Sequence, residues 1–344
     1  DMFNNLVGLT HLSLIFCRIN GTQVSSNVFL PLTSLTYLDL SHNDALEFDY
    51  LSLALETISN YTNLKVLNIT NIVNPFSRGI SVTENFSKSL PRNLEILNAS
   101  SNALEDLDKG MLLELPKSLK LIDVGSNKFA FLSYLKDLNA LENLETLIIS
   151  GGYAFSLPWY YPPDAYHPKS LKNTLLLDYE KKDYIHQPLP PKLQNLYARN
   201  AGMSNYLTKF YFNDSNSLKL LSLDSNNFPV LQGPIFGLNK LENLSLFDCR
   251  ISFIYPTFFT NLTSLKFLNL STNYFGNVAF RSNESLFKEL GSLTVLDLSF
   301  TDIRYISYQA FEGLDMLEIL LLQINPFSQF EVDISLCIVY SILT

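Results

Sequence analysis

One short frame of residues recurs along the whole chain and limits its fold more than any other feature. The frame is L-x-x-L-x-L-x-x-N-x-L, and we number its positions from place 1, the first leucine. Two nearly identical copies stand far apart, LTSLTYLDLSHN at 32–43 and LTSLKFLNLSTN at 262–273. Place 1 falls on Leu9, Leu35, Leu64, Leu94, Leu119, Leu144, Leu193, Leu218, Leu241, Leu265, Leu293 and Leu317, with a degraded copy at Leu171. Copies follow one another every 22 to 30 residues, so the sequence predicts stacked repeats that bury their apolar side chains against their neighbours.

The positions within the frame predict the structure of one repeat. Leucines at places 1, 4 and 6 should point into the core, while places 2, 3 and 5 lie on or beside the open face of a short strand. Place 9 should turn the chain, because an asparagine amide can satisfy backbone groups; it holds Asn43, Asn102, Asn127, Asn226, Asn273 and Asn325. The return segments carry F-x-x-L-x-x-L, which is too short for a full amphipathic helix. We therefore predict an α/β solenoid, a leucine-rich-repeat horseshoe with a concave parallel β-sheet of thirteen strands and a convex side of loops and short helices.

The repeats also predict the domain organisation. Residues 1–330 should form one solenoid of about thirteen repeats, irregular at 151–193. The tail at 331–344 stays open: it is an edge strand, a truncated end or the beginning of a removed segment. No stretch reaches the roughly 20 apolar residues of a membrane-spanning helix. The chain opens inside a repeat without a signal peptide, so we expect an excised or processed piece.

Three cysteines give little evidence of redox chemistry. Cys17 and Cys249 occupy place 9, where we expect a small buried thiol, and Cys337 lies beyond the last repeat without an evident partner. Paired cysteine clusters at the ends, which would cap an extracellular solenoid, are missing from the sequence. The caps therefore lie outside this sequence or have been replaced.

Asparagine sequons indicate the compartment. The pattern N-x-[ST] occurs at Asn20, Asn60, Asn68, Asn85, Asn98, Asn213, Asn243, Asn261, Asn269 and Asn283. This density predicts an extracellular, glycosylated chain. The return-segment sites Asn60, Asn85, Asn213, Asn261 and Asn283 are expected to carry glycans. Asn68, Asn98 and Asn269 at place 5 and Asn243 at place 3 would put sugar on the concave face.

Motifs for catalysis, metal binding and cofactor binding are missing. The four histidines are scattered, and H-E-x-x-H, C-x-x-C, G-x-S-x-G and P-loop patterns do not occur. We therefore predict a protein that is not an enzyme and has no cofactor and no metal site.

The charges on the concave face disfavour nucleic-acid binding there. The net charge of −9 does not by itself exclude it, because an acidic chain can still carry a local basic stripe. The signs at place 2 alternate along Lys65, Glu95, Lys120, Glu145, Lys172, Gln194, Lys219, Glu242 and Lys266. Neighbouring parallel strands should turn this row into surface ion pairs worth about 0–1 kcal/mol each. Place 5 adds Asp39, Asp123 and Asp297, with no Lys or Arg.

These repeats resemble the ectodomain of a Toll-like receptor over residues 1 to about 327. The resemblance rests on the irregular repeat lengths, the F-x-x-L-x-x-L segments, the sequons, and the L-P-x-x-L entries at 90–94, 115–119 and 189–193. It implies the extracellular part of a single-pass receptor of the cell surface or endosome. Such a receptor senses a microbial or endogenous protein ligand and signals by homo- or heterodimerisation. The membrane helix and cytosolic Toll/interleukin-receptor domain that the family implies are absent from this chain. The alternative is an adhesive or matrix-binding leucine-rich-repeat protein without immune signalling.

The rhythm fails between Gly151 and Leu193, where aromatic residues accumulate. We nominate Trp159, Tyr160, Tyr161 and Tyr166 as ligand or dimer contacts, because exposed aromatic residues are enriched in interface hot spots. Two alternatives remain: the aromatic residues seal a malformed repeat, or His167 and His186 sense pH.

Overall fold

The computed structural model describes residues 2–74, 76–108, 110–128, 133–151, 185–203, 210–232, 234–276, 285–307, 309–327 and 329–330. The contacts divide the chain into two compact units. Unit 1 holds the described residues up to 151 together with Leu189–Leu193, and unit 2 holds residues 185–188 and the described residues from 194 onward.

Unit 1 is built on a parallel sheet of three-residue strands, one for each repeat. The strands of unit 1, inside and outside this sheet, are β1 His11–Ser13, β2 Tyr37–Asp39, β3 Val66–Asn68, β4 Ile80–Val82, β5 Ile96–Asn98, β6 Leu104–Leu107, β7 Leu121–Asp123 and β8 Thr146–Ile148. The main sheet has the order β1-β2-β3-β5-β7-β8, and β4 pairs with β6 in a second parallel pair. The register keeps equal places opposite one another, as at Leu38 and Leu67. The return segments contain α1 Phe48–Glu56, α2 Glu84–Ser89, α3 Met111–Glu114 and the 3-10 turns Gly21–Gln23 and Ser133–Ala140.

Unit 2 repeats the same arrangement. Its strands are β9 Ile185–Gln187, β10 Asn195–Tyr197, β11 Phe210–Phe212, β12 Leu220–Ser222, β13 Val230–Leu231, β14 Asn243–Ser245, β15 Phe253–Ile254, β16 Phe267–Asn269, β17 Val295–Asp297, β18 Tyr305–Ile306, β19 Ile319–Leu321 and β20 Gln329–Phe330. The main sheet has the order β10-β12-β14-β16-β17-β19, with parallel pairs β9–β11, β13–β15 and β18–β20 on the return segments. The predicted parallel solenoid is confirmed, but the frame did not predict these four return-side pairs.

The leucines of the frame form the core of both units. At place 1, Leu94, Leu119 and Leu241 are fully buried, and at place 4 so are Leu38 and Leu268. The middle residue of each strand faces inward, because successive side chains on a strand point to opposite sides of the sheet. Each repeat therefore buries its leucines only by stacking on its neighbours.

Where place 9 is asparagine, its side chain joins the repeat to the one before it. Asn273 is buried; its Nδ2 donates to the carbonyls of Leu246 at 2.9 Å and Leu270 at 2.7 Å, and its Oδ1 accepts from the backbone N–H groups of Cys249 and Ile251. One side chain thus satisfies backbone groups in two repeats, as the frame predicts. Asn43, Asn102, Asn127, Asn226 and Asn325 repeat this pattern.

Place 8 has a conformation that the frame did not reveal. The chain turns there with a positive φ, between 46° and 60°, at Phe16, His42, Asn71, Ser101, Ser126, Asn200, Ser225, Asp248, Thr272, Phe300 and Ile324. Asparagine, aspartate and histidine tolerate this left-handed region, whereas a β-branched side chain is strained in it. The repeat geometry therefore imposes the same turn on residues that suit it and on residues that do not.

The prediction that both place 9 cysteines are buried is wrong for Cys17. Cys249 is fully buried, its thiol lies 3.2 Å from the carbonyl of Leu223, and burial raises its pKa to about 12. Cys17, in the first repeat, is exposed. Only β2 pairs with the strand of that repeat in the described structure, so the place 9 thiol has less structure packed around it.

Three further expectations fall on parts of the chain that the structure does not describe. Cys337, the strand of the copy at Leu171 and the tail at 331–344 lie outside the described residues. The boundaries of a single solenoid at 1–330 therefore stay a prediction. The described strands account for the other twelve copies of the frame, six in each unit.

The core of unit 1 contains an apolar cavity of about 50 Å³. Ala99 lines it, together with Phe86, Leu97, Leu104 and Ile122 among others. Ala99 stands at place 6, where Leu40 and Ile69 fill the corresponding position in the preceding repeats. The shorter side chain accounts for space at this level of the stack.

Candidate functional site

The open side of each main sheet, which carries places 3 and 5, is the candidate site, and we call it the sheet face. In unit 1, place 3 forms an apolar stripe of half-buried side chains at Val66, Ile96 and Leu121. Place 5 forms a polar row beside it, at Asp39, Asn68, Asn98 and Asp123. An apolar stripe next to polar groups can bind a partner by burial and orient it by hydrogen bonding.

Asp39 anchors the polar row of unit 1. Its side chain is 3% exposed, and its Oδ1 accepts from the backbone N–H of Ser41 at 2.9 Å and from the Ser41 hydroxyl. Its Oδ2 accepts from Tyr37 Oη at 2.9 Å and from Asn68 Nδ2 at 3.0 Å. The hydrogen bond to this carboxylate, with burial, raises the pKa of the Tyr37 hydroxyl. Four donors therefore hold a buried negative charge in place.

Hydrogen bonds continue across the next two strands. Asn68 Oδ1 accepts from Thr70 Oγ1 at 2.9 Å, and the same hydroxyl lies 3.0 Å from Asn98 Oδ1. Asn98 Oδ1 also accepts from the Ser100 hydroxyl at 2.8 Å and from its backbone N–H at 3.0 Å. On the next strand, burial raises the pKa of the Asp123 carboxyl. A 2.8 Å hydrogen bond from the Gly125 N–H acts in the opposite direction and lowers this pKa. From Asp39 to Asn98 the polar row of unit 1 is thus a connected network rather than a set of independent side chains.

Place 2 frames the sheet face with ion pairs, as the alternating signs predict. Glu95 lies between Lys120 at 2.7 Å and Lys65 at 3.2 Å. Glu242 lies between Lys266 at 2.8 Å and Lys219 at 3.9 Å. Hydrogen bonding to these lysines, Lys120 first for Glu95 and Lys266 for Glu242, lowers the pKa of both carboxyl groups. The lysines at this border are therefore partly neutralised by glutamates.

The sheet face of unit 2 carries a shallow depression with a charged end. Arg199 Nε donates to Ser222 Oγ at 2.8 Å and lies 3.3 Å from Asp224 Oδ2, and the guanidinium lies over the Tyr197 ring at 5.2 Å. Asn243, Ser245 and Phe267 line the rest of the depression, among others. The repeat frame gives no reason to select Arg199. Its one signal in the sequence is an arginine at place 7, and Ser222 and Asp224 belong to the next repeat.

Asn243 and Ser245 provide the uncommitted polar groups of this depression. They are half-buried, and within the described part of the chain neither side chain makes a hydrogen bond. Both point to the sheet face because they flank the inward Leu244 on the same strand. An amide and a hydroxyl beside Arg199 can donate to and accept from a polar ligand.

The nominated aromatic residues are not tested. Trp159, Tyr160, Tyr161 and Tyr166 lie outside the described residues, as does the sequon at Asn283. Among the other sequons, Asn60, Asn85 and Asn261 are exposed on return segments, Asn20 is exposed in a turn, and Asn213 is half-buried. Asn68, Asn98, Asn243 and Asn269 lie on main-sheet strands, as expected.

The described residues contain neither a metal-binding cluster nor a membrane-spanning helix. No group of three or more histidine, cysteine or acidic side chains is placed to hold a metal ion. Within the same residues, none of the helices has the length and apolar character to cross a bilayer.

Comparison with known proteins identifies relatives among receptors. No family model matches the chain. Toll-like receptor 4 of Pinctada imbricata is 28% identical over 379 residues, covering 96% of this chain and 41% of the relative. Toll-like receptor 7 of Mus musculus is 27% identical, covering 76% of this chain and 28% of the relative. Tsukushi of Gallus gallus is also 27% identical and covers 76% of this chain and 74% of the relative.

Solved structures agree on the fold. The TLR13–ssRNA13 complex matches 93% of this chain and 47% of that chain with a TM-score of 0.54 at 20% identity. The Toll–Spatzle complex matches 94% of this chain and 40% of that chain with a TM-score of 0.56 at 16% identity. The strands, the place 9 asparagines and these matches define a leucine-rich-repeat protein. Its sequence relatives include two Toll-like receptors, and it spans less than half the length of each.

Proposed function

We propose that this chain is the ligand-sensing part of a Toll-like innate immune receptor, acting on the extracellular side of a cell-surface or endosomal membrane. The observation that carries the proposal is an open sheet face on a chain that aligns with a Toll-like receptor over 96% of its length. The face joins an apolar stripe to polar groups in unit 1 and has uncommitted polar groups beside Arg199 in unit 2. Ligand binding without catalysis, followed by receptor dimerisation, is the activity this surface supports best.

We expect a protein or an uncharged microbial molecule rather than nucleic acid on this face. Places 3 and 5 of the described main-sheet strands hold no Lys or Arg, and the lysines at place 2 are paired with glutamates. Phosphate contacts supply most of the affinity of nucleic-acid-binding proteins, and a face of this kind offers few cations for them.

The match to Tsukushi, a relative that is not named as a Toll-like receptor, motivates the alternative, an adhesive or matrix-binding leucine-rich-repeat protein without immune signalling. The full-length transcript separates the two proposals. We expect it to encode a membrane-spanning helix followed by a Toll/interleukin-receptor domain. A transcript that encodes neither would contradict the receptor and favour the adhesive protein.

The full-length receptor in reporter cells tests the site directly. Given a microbial or protein stimulus that activates it, Arg199→Ala should reduce activation at least about tenfold, since an interaction with a charged group is worth about 1.5–3 kcal/mol. Arg78→Ala, an exposed arginine of a return segment, is the control and should respond like the wild type. If both variants respond equally at equal surface expression, the depression beside Arg199 does not take part in ligand binding.

A further inference from the structure

Three sequons have a structural use within their repeats. At place 5, Asn98 Oδ1 and Asn269 Oδ1 accept hydrogen bonds from the serine two residues later; for Asn269 the distances are 2.9 Å from the Ser271 N–H and 2.7 Å from its hydroxyl. Asn68 makes the same pair of bonds with Thr70. The asparagine and the serine or threonine of each of these sequons therefore also form the turn after the strand.

The same turn occurs where glycosylation is chemically impossible. Asp297 Oδ1 accepts from the Ser299 N–H at 2.9 Å and from its hydroxyl at 2.6 Å, and Asp39 does the same with Ser41. A carboxylate cannot take an N-linked glycan. The recurring requirement at place 5 is thus an acceptor followed by a hydroxyl, not a sugar.

Neighbouring strands explain why some repeats use asparagine instead of aspartate. The register sets Asp39 opposite Asn68, Asn98 opposite Asp123, and Asn269 opposite Asp297. Adjacent strands lie about 4.8 Å apart, where two carboxylates would repel. Asparagine keeps the acceptor and removes the charge, and at Asn68 its Nδ2 also donates to Asp39.

The exposed sequons on the return segments have no such role. Asn60, Asn85 and Asn261 are exposed, and within the described residues their side chains make no hydrogen bond. Asn20 does bond its own Thr22, but from an exposed turn outside the main sheet. The exposure of the side chain, rather than the sequon itself, separates these four sites from the half-buried asparagines at place 5.

We propose that the folded protein carries glycans at Asn20, Asn60, Asn85 and Asn261, and that Asn68, Asn98 and Asn269 remain unmodified structural acceptors. The assignment rests on the proposed extracellular function. Sequons are modified before the chain folds, so the selection acts on folding. A glycan on Nδ2 replaces one of its two hydrogens and inserts a sugar beside the serine or threonine hydroxyl, between closely spaced strands. Oδ1 can still accept hydrogen bonds after this modification, as at Asn20, so the turn itself does not exclude a glycan. At place 5 the asparagine is half-buried between neighbouring strands, and chains that carry a sugar there do not reach the secreted, folded state. The place 5 row is therefore left open to ligand.

Peptide mapping of the chain secreted from glycosylating eukaryotic cells tests the assignment. Release of glycans by peptide-N-glycosidase in heavy-oxygen water marks each occupied asparagine. We expect the mark at Asn20, Asn60, Asn85 and Asn261 and its absence from Asn68, Asn98 and Asn269. Marks at place 5 as well would overturn the assignment alone. Marks at none of the seven sites would overturn the extracellular function and the assignment with it.

Two variants that each remove one sequon form a matched pair. Ser271→Ala removes the Asn269 sequon by changing a serine that is 4% exposed. Thr263→Ala removes the Asn261 sequon by changing an exposed threonine. Ser271→Ala should lower the Tm by about 3 °C without changing the glycan mass. Thr263→Ala should lose one glycan at a nearly unchanged Tm. The reverse pattern would overturn the assignment.

Discussion

At the scale of the residue, the place 9 asparagine should be the most costly polar side chain to remove. Asn273→Ala leaves the carbonyls of Leu246 and Leu270 and the N–H groups of Cys249 and Ile251 without partners inside the protein. Each buried group left unpaired costs about 1–3 kcal/mol, so we expect a loss of about 3 kcal/mol or more. Denaturant unfolding measures it, with the exposed Asn239→Ala as the control. A loss below about 1 kcal/mol would show that water or relaxed backbone replaces the amide.

Place 8 gives the opposite prediction at the same scale, since there a substitution should stabilise. Ile324 is a β-branched residue held at φ 56° and is 69% exposed, so the strain is not offset by burial. Ile324→Asn should raise the free energy of unfolding by about 1 kcal/mol. Ile319→Asn makes the same change on an exposed strand position and should destabilise instead. Equal effects at both positions would mean that the left-handed turn is not strained.

At the scale of the element, the alanine at place 6 lines the apolar cavity in the core of unit 1. Ala99→Val adds two carbons toward a cavity of about 50 Å³. Filling it should stabilise unit 1 by about 1 kcal/mol, taking about 24 cal/mol per Å³. Ala198 holds place 6 in unit 2 without lining this cavity, so Ala198→Val should overpack and destabilise. Thermal unfolding measures the change in Tm of both variants. A lower Tm for Ala99→Val would show that the cavity cannot accommodate the added methyl groups.

Some contacts between repeats can be predicted from the frame and others cannot. The strands, their register, the inward leucines, the place 9 hydrogen bonds and the place 2 ion pairs follow from the frame, because each depends on contacts between equal places of adjacent repeats. The return-side strand pairs, the left-handed place 8 and the Arg199 cluster do not. They depend on backbone angles, or on side chains at unequal places, such as Arg199 at place 7 meeting Ser222 at place 5. Periodicity carries no information about such contacts.

At the scale of the whole molecule, charge decides which ligands the chain admits. The net charge is −9, and Glu95 and Glu242 each lie between two lysines beside the sheet face. We therefore expect the secreted chain to bind single-stranded RNA more weakly than about 100 μM at physiological salt, the weak end of non-specific binding. Fluorescence anisotropy with a labelled oligonucleotide measures this. Binding that is tighter, and that weakens steeply between low and physiological salt, would contradict the prediction.

A double variant tests whether the glutamates are the reason. Glu95→Gln with Glu242→Gln raises the net charge by two and releases Lys65, Lys120, Lys219 and Lys266 from their ion pairs. It should gain measurable RNA binding at low salt, and that binding should fall as salt rises, because released counterions drive it. Glu56→Gln with Glu312→Gln makes the same charge change at exposed return-segment positions and should gain much less. If both double variants gain equally, net charge alone sets the affinity. If only the place 2 variant gains, the place 2 ion pairs weaken the attraction of nucleic acid to the border of the sheet face.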